Sequence, residues 1–259
     1  MPYHHADARH MKRALLVFIA AIVFVVSGPV LMLASDELRM GQSWRDADRS
    51  SAQLAPSPAS EPRAVVQVYA ARAFSWRGIF AVHTWVATKA AGADRYTVHQ
   101  VAGWNHPPLS SRTDIPDRRW VGATPKLLLD LRGAQAATAI TQIEAAVAAY
   151  PYDVYRIWPG PNSNTFVAWL IRRVPALAVE LPPTAIGKDY LEAKVFARAP
   201  SATGYQLSLY GALGVLAARE EGIEINLFGL VWGIDPADLA IKWPGLGRIA
   251  WHDPEPDAR

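Results

Sequence analysis

A serine and a histidine are the residues of this chain that could together perform acyl-transfer chemistry. Ser163 lies in the segment WPGPNSNTF, where a stiff Pro/Gly turn comes directly before a predicted helix. The unpaired N–H groups and the dipole of a helix N-terminus favour negative charge, so an alkoxide or oxyanion would be stabilised there. A serine at this position could attack an ester or amide carbonyl.

A serine hydroxyl needs a base, and histidine is the residue type that serves most often. His83 lies within the apolar run IFAVHTWV, which predicts a strand that would hold its side chain rigidly. His99, on the following predicted strand, could orient His83. We expect Asn162 and Asn164 to complete the site beside Ser163, with backbone N–H groups near Asn164 holding the oxyanion.

Each of these residues also has a purely structural interpretation. Asn162 and Ser163 are residue types that commonly cap a helix. His83 could be a core histidine with a satisfied hydrogen bond, and His99 could be structural or exposed. The residue types and their spacing leave both interpretations open.

Composition excludes several other kinds of site. The chain has 259 residues and no Cys, which excludes thiolate catalysis and cysteine-ligated metal or iron–sulfur centres. It carries no P-loop, dinucleotide-binding glycine motif or histidine-based metal signature, so we expect no cofactor and no metal. A formal charge of +3 without a long Lys/Arg run does not indicate nucleic-acid binding.

Strand and helix patterns alternate in the part of the chain that would position these residues. Short runs rich in Val, Tyr, Thr and Trp predict antiparallel neighbouring strands. They lie at residues 65–71, 79–88 and 96–104. An Ala-rich amphipathic helix follows at residues 133–150, and a second helix begins at Asn162 or Ser163, with Pro175 just beyond its end.

Two later runs, at residues 205–217 and 223–232, are strand-like and interrupted by glycines. The pattern as a whole predicts an α+β fold, with an antiparallel sheet packed against helices. Three acidic residues surround Gly222 in this part of the chain, and they could form a charged hairpin turn or bind a hard cation. They are Glu220, Glu221 and Glu224.

An apolar segment near the start predicts a membrane-spanning helix. Residues 14–34 carry no charge, and at about 1.5 Å per residue this helix would be roughly 31 Å long, enough to cross the hydrocarbon of a bilayer. The flanking charges are Arg9, Lys12 and Arg13 before the segment and Asp36 and Glu37 after it. Residues 1–13 should therefore stay in the cytoplasm, and the bilayer is an expected partner.

A cleaved signal peptide is the alternative for this segment. Its apolar core is usually shorter, about 7 to 15 residues, and ends in an A-x-A-like site, whereas Met32 occupies the matching position before Ala34. The kink-forming sequence SGP inside the segment favours the signal peptide, because a lone span tolerates such a kink poorly. We favour an uncleaved anchor.

The remaining chain divides into a linker and one domain. Residues 35–63 are rich in Ser, Ala and Pro, which predicts an extended tether. Arg39, Trp44, Arg45 and Arg49 of this tether would lie at the lipid surface or in solvent. Residues 64–259 are enough for a single α+β domain outside the cytoplasm.

Five motifs resemble a bacterial membrane-protein family known as domain of unknown function 3750. They are WRGIFAVHTW, WPGPNSNTF, LPPTAIGKDY, TGYQLSLYGALG and EGIEINLFGL, and the resemblance extends over nearly the entire chain after the anchor. The resemblance implies no activity. With the predicted anchor it implies a single-pass protein of the bacterial inner (cytoplasmic) membrane, with its main domain in the periplasm.

A more distant resemblance concerns the site itself. A strand carrying His, an Ala-rich helix, and then a helix start of the form Asn-Cys-x-x-Phe are similar to circularly permuted papain-like domains, including lecithin:retinol acyltransferase-like and NlpC-type proteins. The resemblance implies that His83 is the base and that residues 162–166 are the nucleophile box. Ser163 stands where those proteins have Cys.

This replacement leaves two functions open, because serine is far less ionised than cysteine near neutral pH. The site is either a Ser–His hydrolase or acyltransferase, or a cleft that binds without turnover in a membrane-anchored scaffold. We favour the enzyme, acting on amide or ester bonds of an envelope component such as a peptidoglycan peptide, an acyl lipid or a protein.

The predicted topology has a direct test. A reporter that works only in the cytoplasm, fused after Arg259, should give no signal, because the flanking charges place the C-terminal domain on the opposite side of the membrane. A periplasm-dependent reporter at the same position should be active. A bright cytoplasmic reporter would contradict the orientation.

Overall fold

The computed structural model describes residues 4–38, 40–41 and 43–251, so Arg39 lies outside the described residues. This part of the chain is α+β, with two antiparallel sheets and three α-helices. The helices are α1 (His4–Leu33), α2 (Ala134–Ala148) and α3 (Ser163–Arg173). The expected α+β class is confirmed, and the second sheet is the feature that the sequence pattern did not separate from the first.

The first sheet carries the strands that the sequence predicted, and two more. Its strands are β1 (Val65–Arg72), β2 (Val82–Lys89), β3 (Thr97–Val101), β4 (Leu109–Thr113) and β5 (Lys126–Arg132). They are arranged β4-β3-β2-β1-β5 with antiparallel neighbours, which confirms the predicted pairing of the first three. β2 begins only at Val82, because a 3₁₀ turn occupies Ser75–Ile79.

The helices α2 and α3 pack on one face of this sheet. Val68 and Val86 point from the strands into a core that also contains Ile143 of α2 and Phe166 of α3, all of them fully buried. Side chains alternate between the two faces of a strand, so the neighbours of these valines must lie on the opposite face. A second cluster on that face contains Tyr69, Trp85 and Val98.

The segment for which we expect an extended tether instead packs against this second cluster. The Asp117 carboxylate explains why: its Oδ2 accepts hydrogen bonds from Ser51 Oγ at 2.9 Å, from the Leu54 N–H at 2.6 Å and from the Ala55 N–H at 3.2 Å. Ala55 contacts the apolar cluster directly. A buried carboxylate that accepts three hydrogen bonds holds the polar, Pro-rich segment in place without a large apolar contact.

The second sheet is a meander of seven strands. They are β6 (Phe196–Arg198), β7 (Gly204–Leu209), β8 (Leu213–Ala218), β9 (Gly222–Leu227), β10 (Leu230–Asp235), β11 (Ala240–Trp243) and β12 (Gly247–Ala250). Each pairs with its sequence neighbour. Gly222 and Gly229 have φ values of 65° and 90° and lie at the turns on either side of β9, where a positive φ favours glycine.

A buried ionic cluster joins the second sheet to the chain that follows α3. Lys188 Nζ donates to Glu224 Oε1 at 2.9 Å, and Lys242 Nζ lies 2.6 Å from the same oxygen and also contacts Glu180. Glu224 and Lys242 are almost fully buried. Burial by itself raises the pKa of Glu224, but the charges of Lys188 and Lys242 outweigh it and hold that pKa below its usual value.

The three acidic residues around Gly222 therefore have different surroundings. Glu220 pairs with Arg219 at the surface, and Glu221 accepts hydrogen bonds from Ser201. Only Glu224 points into the ionic cluster. Among the described residues, no group of three or more His, Asp or Glu side chains is arranged to hold a metal ion.

We expect Glu224→Gln to lower the free energy of unfolding by about 3–5 kcal/mol, because it leaves two buried lysines without their shared counter-charge. The matched control is Glu220→Gln, which removes an exposed pair and should cost at most about 1 kcal/mol. Urea unfolding of the full chain in detergent measures both. Equal losses in the two variants would contradict the structural role of Glu224.

Candidate functional site

Ser163 and His83 line one large cavity, of about 1280 Å³, at the N-terminus of α3 and the beginning of β2. The sequence predicts that a helix start and a strand bring these two residues together. In the structure, both residues line the same cavity. The cavity also receives residues from the packed segment before β1, among them Trp44, Arg45 and Arg49.

Asn162, rather than Ser163, is the residue that caps α3. Its Oδ1 accepts hydrogen bonds from the backbone N–H groups of Asn164 at 2.9 Å and Thr165 at 3.2 Å. The Thr165 hydroxyl in turn accepts from the Asn162 N–H at 3.1 Å, which completes a capping box. Ser163 is consequently the first residue of the helix, and its side chain is not needed for the cap.

Asn164 fixes the helix start against β2. Its Nδ2 donates to the carbonyl oxygens of Val82 at 3.0 Å and Ile186 at 2.8 Å, and its Oδ1 accepts from Thr84 Oγ1 at 2.9 Å. Thr84 Oγ1 also lies 3.3 Å from the Ser163 carbonyl oxygen. Since the side chain of Asn164 is fully engaged, its observed role is to position the helix start.

The hydroxyl and the backbone N–H of Ser163 make no hydrogen bond with the residues that the structure describes. Ser163 is only 4% exposed, and it lines the cavity. The N–H groups of Asn164 and Thr165 are taken by the cap. The free donor for an oxyanion is therefore the Ser163 N–H, where we expected one near Asn164.

Gln100 of β3 is the group that orients His83. Its Oε1 lies 3.0 Å from His83 Nε2. An amide oxygen only accepts, so Nε2 carries the proton and Nδ1 keeps the lone pair of the neutral ring. No residue in the described ranges hydrogen-bonds to Nδ1, which leaves it available as a base.

His99, which we considered for this orienting role, lies on the other face of the sheet. It pairs with Val86 across β2 and β3, so its side chain points to the face covered by the helices. There Nε2 contacts Thr88 Oγ1 at 3.1 Å and Nδ1 contacts Ser111 Oγ at 2.8 Å. Burial lowers the pKa of His99 to about 4. His99 is part of the folded framework.

Strand alternation also separates His83 from the α3 N-terminus. Thr84 contacts α3, so the side chain of His83, one residue earlier, leaves β2 on the opposite face. No hydrogen bond joins His83 and Ser163 in the described part of the chain. The His83 ring stacks on Trp120 with 3.4 Å between ring centroids, and burial lowers its pKa to about 3 although the hydrogen bond with Gln100 raises it.

The cavity walls combine aromatic rings with guanidinium groups. Its aromatic residues include Trp44, Trp76, Trp85, Trp104, Trp120 and Trp158. Its arginines are Arg45, Arg49, Arg77, Arg112, Arg118 and Arg119. Asp114 is the acidic residue of this lining, and it pairs with Arg112 and Arg118. The arginines outnumber the acidic residue of the lining, and this positive charge beside aromatic walls suits an amphiphilic molecule with an anionic group.

Comparison with known families identifies the part of the chain that holds this site. Residues 63–190 match a family model described as "Protein of unknown function (DUF3750)". This region belongs to that family. It contains the five strands of the first sheet together with α2 and α3, and the resemblance inferred from the motifs is confirmed there.

The seven-stranded sheet lies beyond the matched residues, so the motifs TGYQLSLYGALG and EGIEINLFGL are outside the DUF3750 match. No curated protein and no solved structure matches the chain. The distant resemblance to permuted papain-like domains stays a prediction.

Burial of neutral His83 should make the fold sensitive to acid. The unfolded chain binds a proton at this side chain below its ordinary pKa of 6.5, whereas folded His83 does so only near pH 3. The fold is therefore most stable with respect to this group above pH 6.5, where His83 is neutral in both states, and it loses stability as the pH falls from 6.5 towards 3.

We expect His83→Gln to reduce the loss of stability between pH 7 and pH 4.5, because glutamine takes up no proton in this range. Urea unfolding midpoints at both pH values measure the effect. The control is His10→Gln, at an exposed position of α1. An unchanged pH dependence in His83→Gln would contradict the buried neutral state of His83.

Proposed function

We propose that this protein is a membrane-anchored acyl hydrolase or acyltransferase with Ser163 as nucleophile and His83 as base. The observation that carries the proposal is the state of Ser163. Its hydroxyl and backbone N–H lack partners among the described residues, at a helix N-terminus, in the same cavity as a neutral histidine that Gln100 orients. A hydroxyl with only a structural role would be engaged in the cap, as Asn162 is.

In the proposed reaction, Ser163 Oγ attacks the carbonyl carbon of an ester or amide, and His83 Nδ1 takes the hydroxyl proton. The Ser163 N–H and the α3 dipole stabilise the oxyanion. His83 then donates the proton to the leaving group, and water or an acceptor alcohol releases the acyl group from Ser163. Gln100 keeps the Nε2–H in place throughout, which preserves the tautomer that the transfer needs.

Proton transfer requires a change from the observed arrangement of Ser163 and His83. No hydrogen bond joins Ser163 to His83, so either a bridging water or a shift of His83 away from Trp120 must complete the path. A pKa of about 3 makes His83 a weak base in the absence of substrate. A developing oxyanion nearby would raise this pKa, because opposite charge favours the imidazolium form.

The lining of the cavity favours an acyl lipid among the envelope substrates considered. Aromatic walls suit an acyl chain, and arginine side chains suit a phosphate or carboxylate head group. A helix long and apolar enough to cross a membrane, at His10–Leu33, would hold the cavity next to its substrate. We further propose that α1 is an uncleaved anchor in the bacterial inner membrane with the domain in the periplasm.

A catalytically inactive binding or scaffold domain is the second candidate. The stacking of His83 on Trp120 favours it, because an aromatic cover that persisted with ligand bound would keep Nδ1 from Ser163. Both candidate functions predict that the cavity binds an anionic acyl lipid, and only the enzyme turns it over. Covalent labelling of the serine separates them.

We expect a fluorophosphonate probe to label Ser163 and the full chain to hydrolyse p-nitrophenyl esters of long acyl chains. Ser163→Ala should lose labelling entirely and lose hydrolysis by roughly a thousandfold or more, since removal of a nucleophile leaves only residual catalysis. Ser60→Ala, an exposed serine before β1, is the matched control and should keep both.

His83→Asn should also abolish hydrolysis while leaving acyl-lipid binding intact. A wild-type chain that binds anionic acyl lipid but is neither labelled nor active would support the binding domain instead of the enzyme.

A further inference from the structure

The seven-stranded sheet has the reverse of the usual polarity. The face that packs towards the rest of the protein is polar, with Gln206, Glu224, Asn226 and Lys242 buried. The outer face is apolar, and every strand contributes to it. In water-soluble antiparallel sheets with one covered face, apolar side chains point inward and polar ones point outward.

The strand register joins the outward side chains into continuous rows. Leu207 pairs with Val215, Val215 with Ile225, and Ile225 with Trp232, so one row crosses four strands. A second row continues towards the other edge. It contains Ile223, Ile234, Ile241 and Ile249.

The aliphatic side chains of these two rows are about half exposed, from 44% for Ile249 to 53% for Leu207. Soluble monomers seldom expose one apolar patch of more than a few hundred Å², because apolar side chains left in water oppose folding. A face formed by seven strands therefore needs an apolar cover.

One element of the chain already lies on this face, and it is the predicted membrane helix. Phe24 of α1 contacts Trp232 and Trp243, with ring centroids 6.1 and 4.5 Å away. Trp243 Nε1 donates to Ser27 Oγ at 3.0 Å. Trp232 pairs with Ile225, and Trp243 lies two residues after Ile241 in β11, so both rings lie on the same outward face. The apolar face is thus continuous with the surface of α1.

We propose that the apolar face of the seven-stranded sheet lies in the surface of the lipid bilayer beside α1, so that the domain is embedded on one side rather than tethered above the membrane. This inference rests on the membrane anchor of the proposed function. It commits to lipid as the cover because α1, whose exposed side chains after Arg13 are apolar, contacts the face directly.

Backbone hydrogen bonding is compatible with this placement. All the inner strands of the sheet pair on both sides, and only the outer edges of β6 and β12 lack neighbours among the described residues. Such edges are tolerated at the interface, where water is present, and not across the hydrocarbon. Exposed Tyr210 and Trp251 lie at strand ends, where aromatic residues that favour the interface are expected.

The placement also connects the membrane with the cavity. Leu227 contributes to the apolar face, and the next residue, Phe228, lines the cavity together with Leu230. An acyl lipid could reach Ser163 from the bilayer along this turn between β9 and β10 without passing through water.

The absence of cysteine from the chain allows a direct test with single labels. Ile225→Cys and Ile241→Cys place a polarity-sensitive fluorophore at two half-exposed positions of the face. Ile19→Cys in α1 reports the anchor, and Thr113→Cys on exposed β4 is the aqueous control. Each full-length variant is reconstituted in vesicles of phosphatidylethanolamine and phosphatidylglycerol.

We expect the labels at Ile225→Cys and Ile241→Cys to show a blue-shifted emission, quenching by lipid-borne nitroxides, and loss of quenching by aqueous iodide. The label at Thr113→Cys should show the opposite. Iodide quenching at both sheet positions, with Ile19→Cys protected, would overturn the embedded sheet while leaving the anchor intact.

Two further outcomes are distinguishable. Shielding of the sheet labels from both quenchers, with crosslinking between copies, would overturn the proposal in favour of a dimer interface. Iodide quenching of Ile19→Cys would overturn the anchor. The labels at Ile225→Cys and Ile241→Cys would still test the sheet in that case, and lipid quenching at Ile225→Cys would support contact of the sheet with lipid independently of the anchor.

Discussion

The burial of one carboxylate, Glu224, determines how the second sheet is oriented. A buried carboxylate is tolerated only with counter-charges, and Lys188 and Lys242 supply them from the chain after α3 and from β11. With Glu224 pointing inward, strand alternation forces Ile223 and Ile225 outward, and a one-residue slip would bury the isoleucines and expose the charge. The ionic cluster therefore joins the two halves of the fold and also produces the apolar outer face.

In the candidate site, different polar residues have separate structural roles. Asn162 caps α3, and Asn164 attaches the helix start to β2. The hydroxyl and the backbone N–H of Ser163 are therefore not needed for hydrogen bonds within the fold. Gln100 holds the histidine in one tautomer. The network thus presents an unengaged hydroxyl to a cavity, which is the arrangement that nucleophilic catalysis requires and that a structural cap would not leave.

The proposed enzyme and the proposed membrane face support each other chemically. A cavity with aromatic walls and arginines suits an anionic amphiphile, and an apolar sheet beside a membrane helix would bring such a molecule to it without exposure to water. In the proposed mechanism the substrate displaces the Trp120 ring that covers His83, which would make hydrolysis depend on bound lipid.

Local pattern was enough for the elements closest to the site. The alternation of apolar and polar residues and the β-branched content predicted β1 to β3. The helical period of apolar residues and the positions of the prolines predicted α2 and α3. The motifs identified the family, and the Pro/Gly turn before Ser163 predicted that Ser163 lies at a helix start. These features depend on neighbours in the chain. Tertiary structure alone decided that Gln100 and not His99 orients His83, that residues 43–62 pack instead of forming a tether, and that the second sheet turns its polar face inward. The packing of residues 43–62 depends on Asp117, and the buried face of the second sheet depends on strand register and on Lys188. These partners are distant in the chain, so the spacing of residues in the sequence does not predict the contacts.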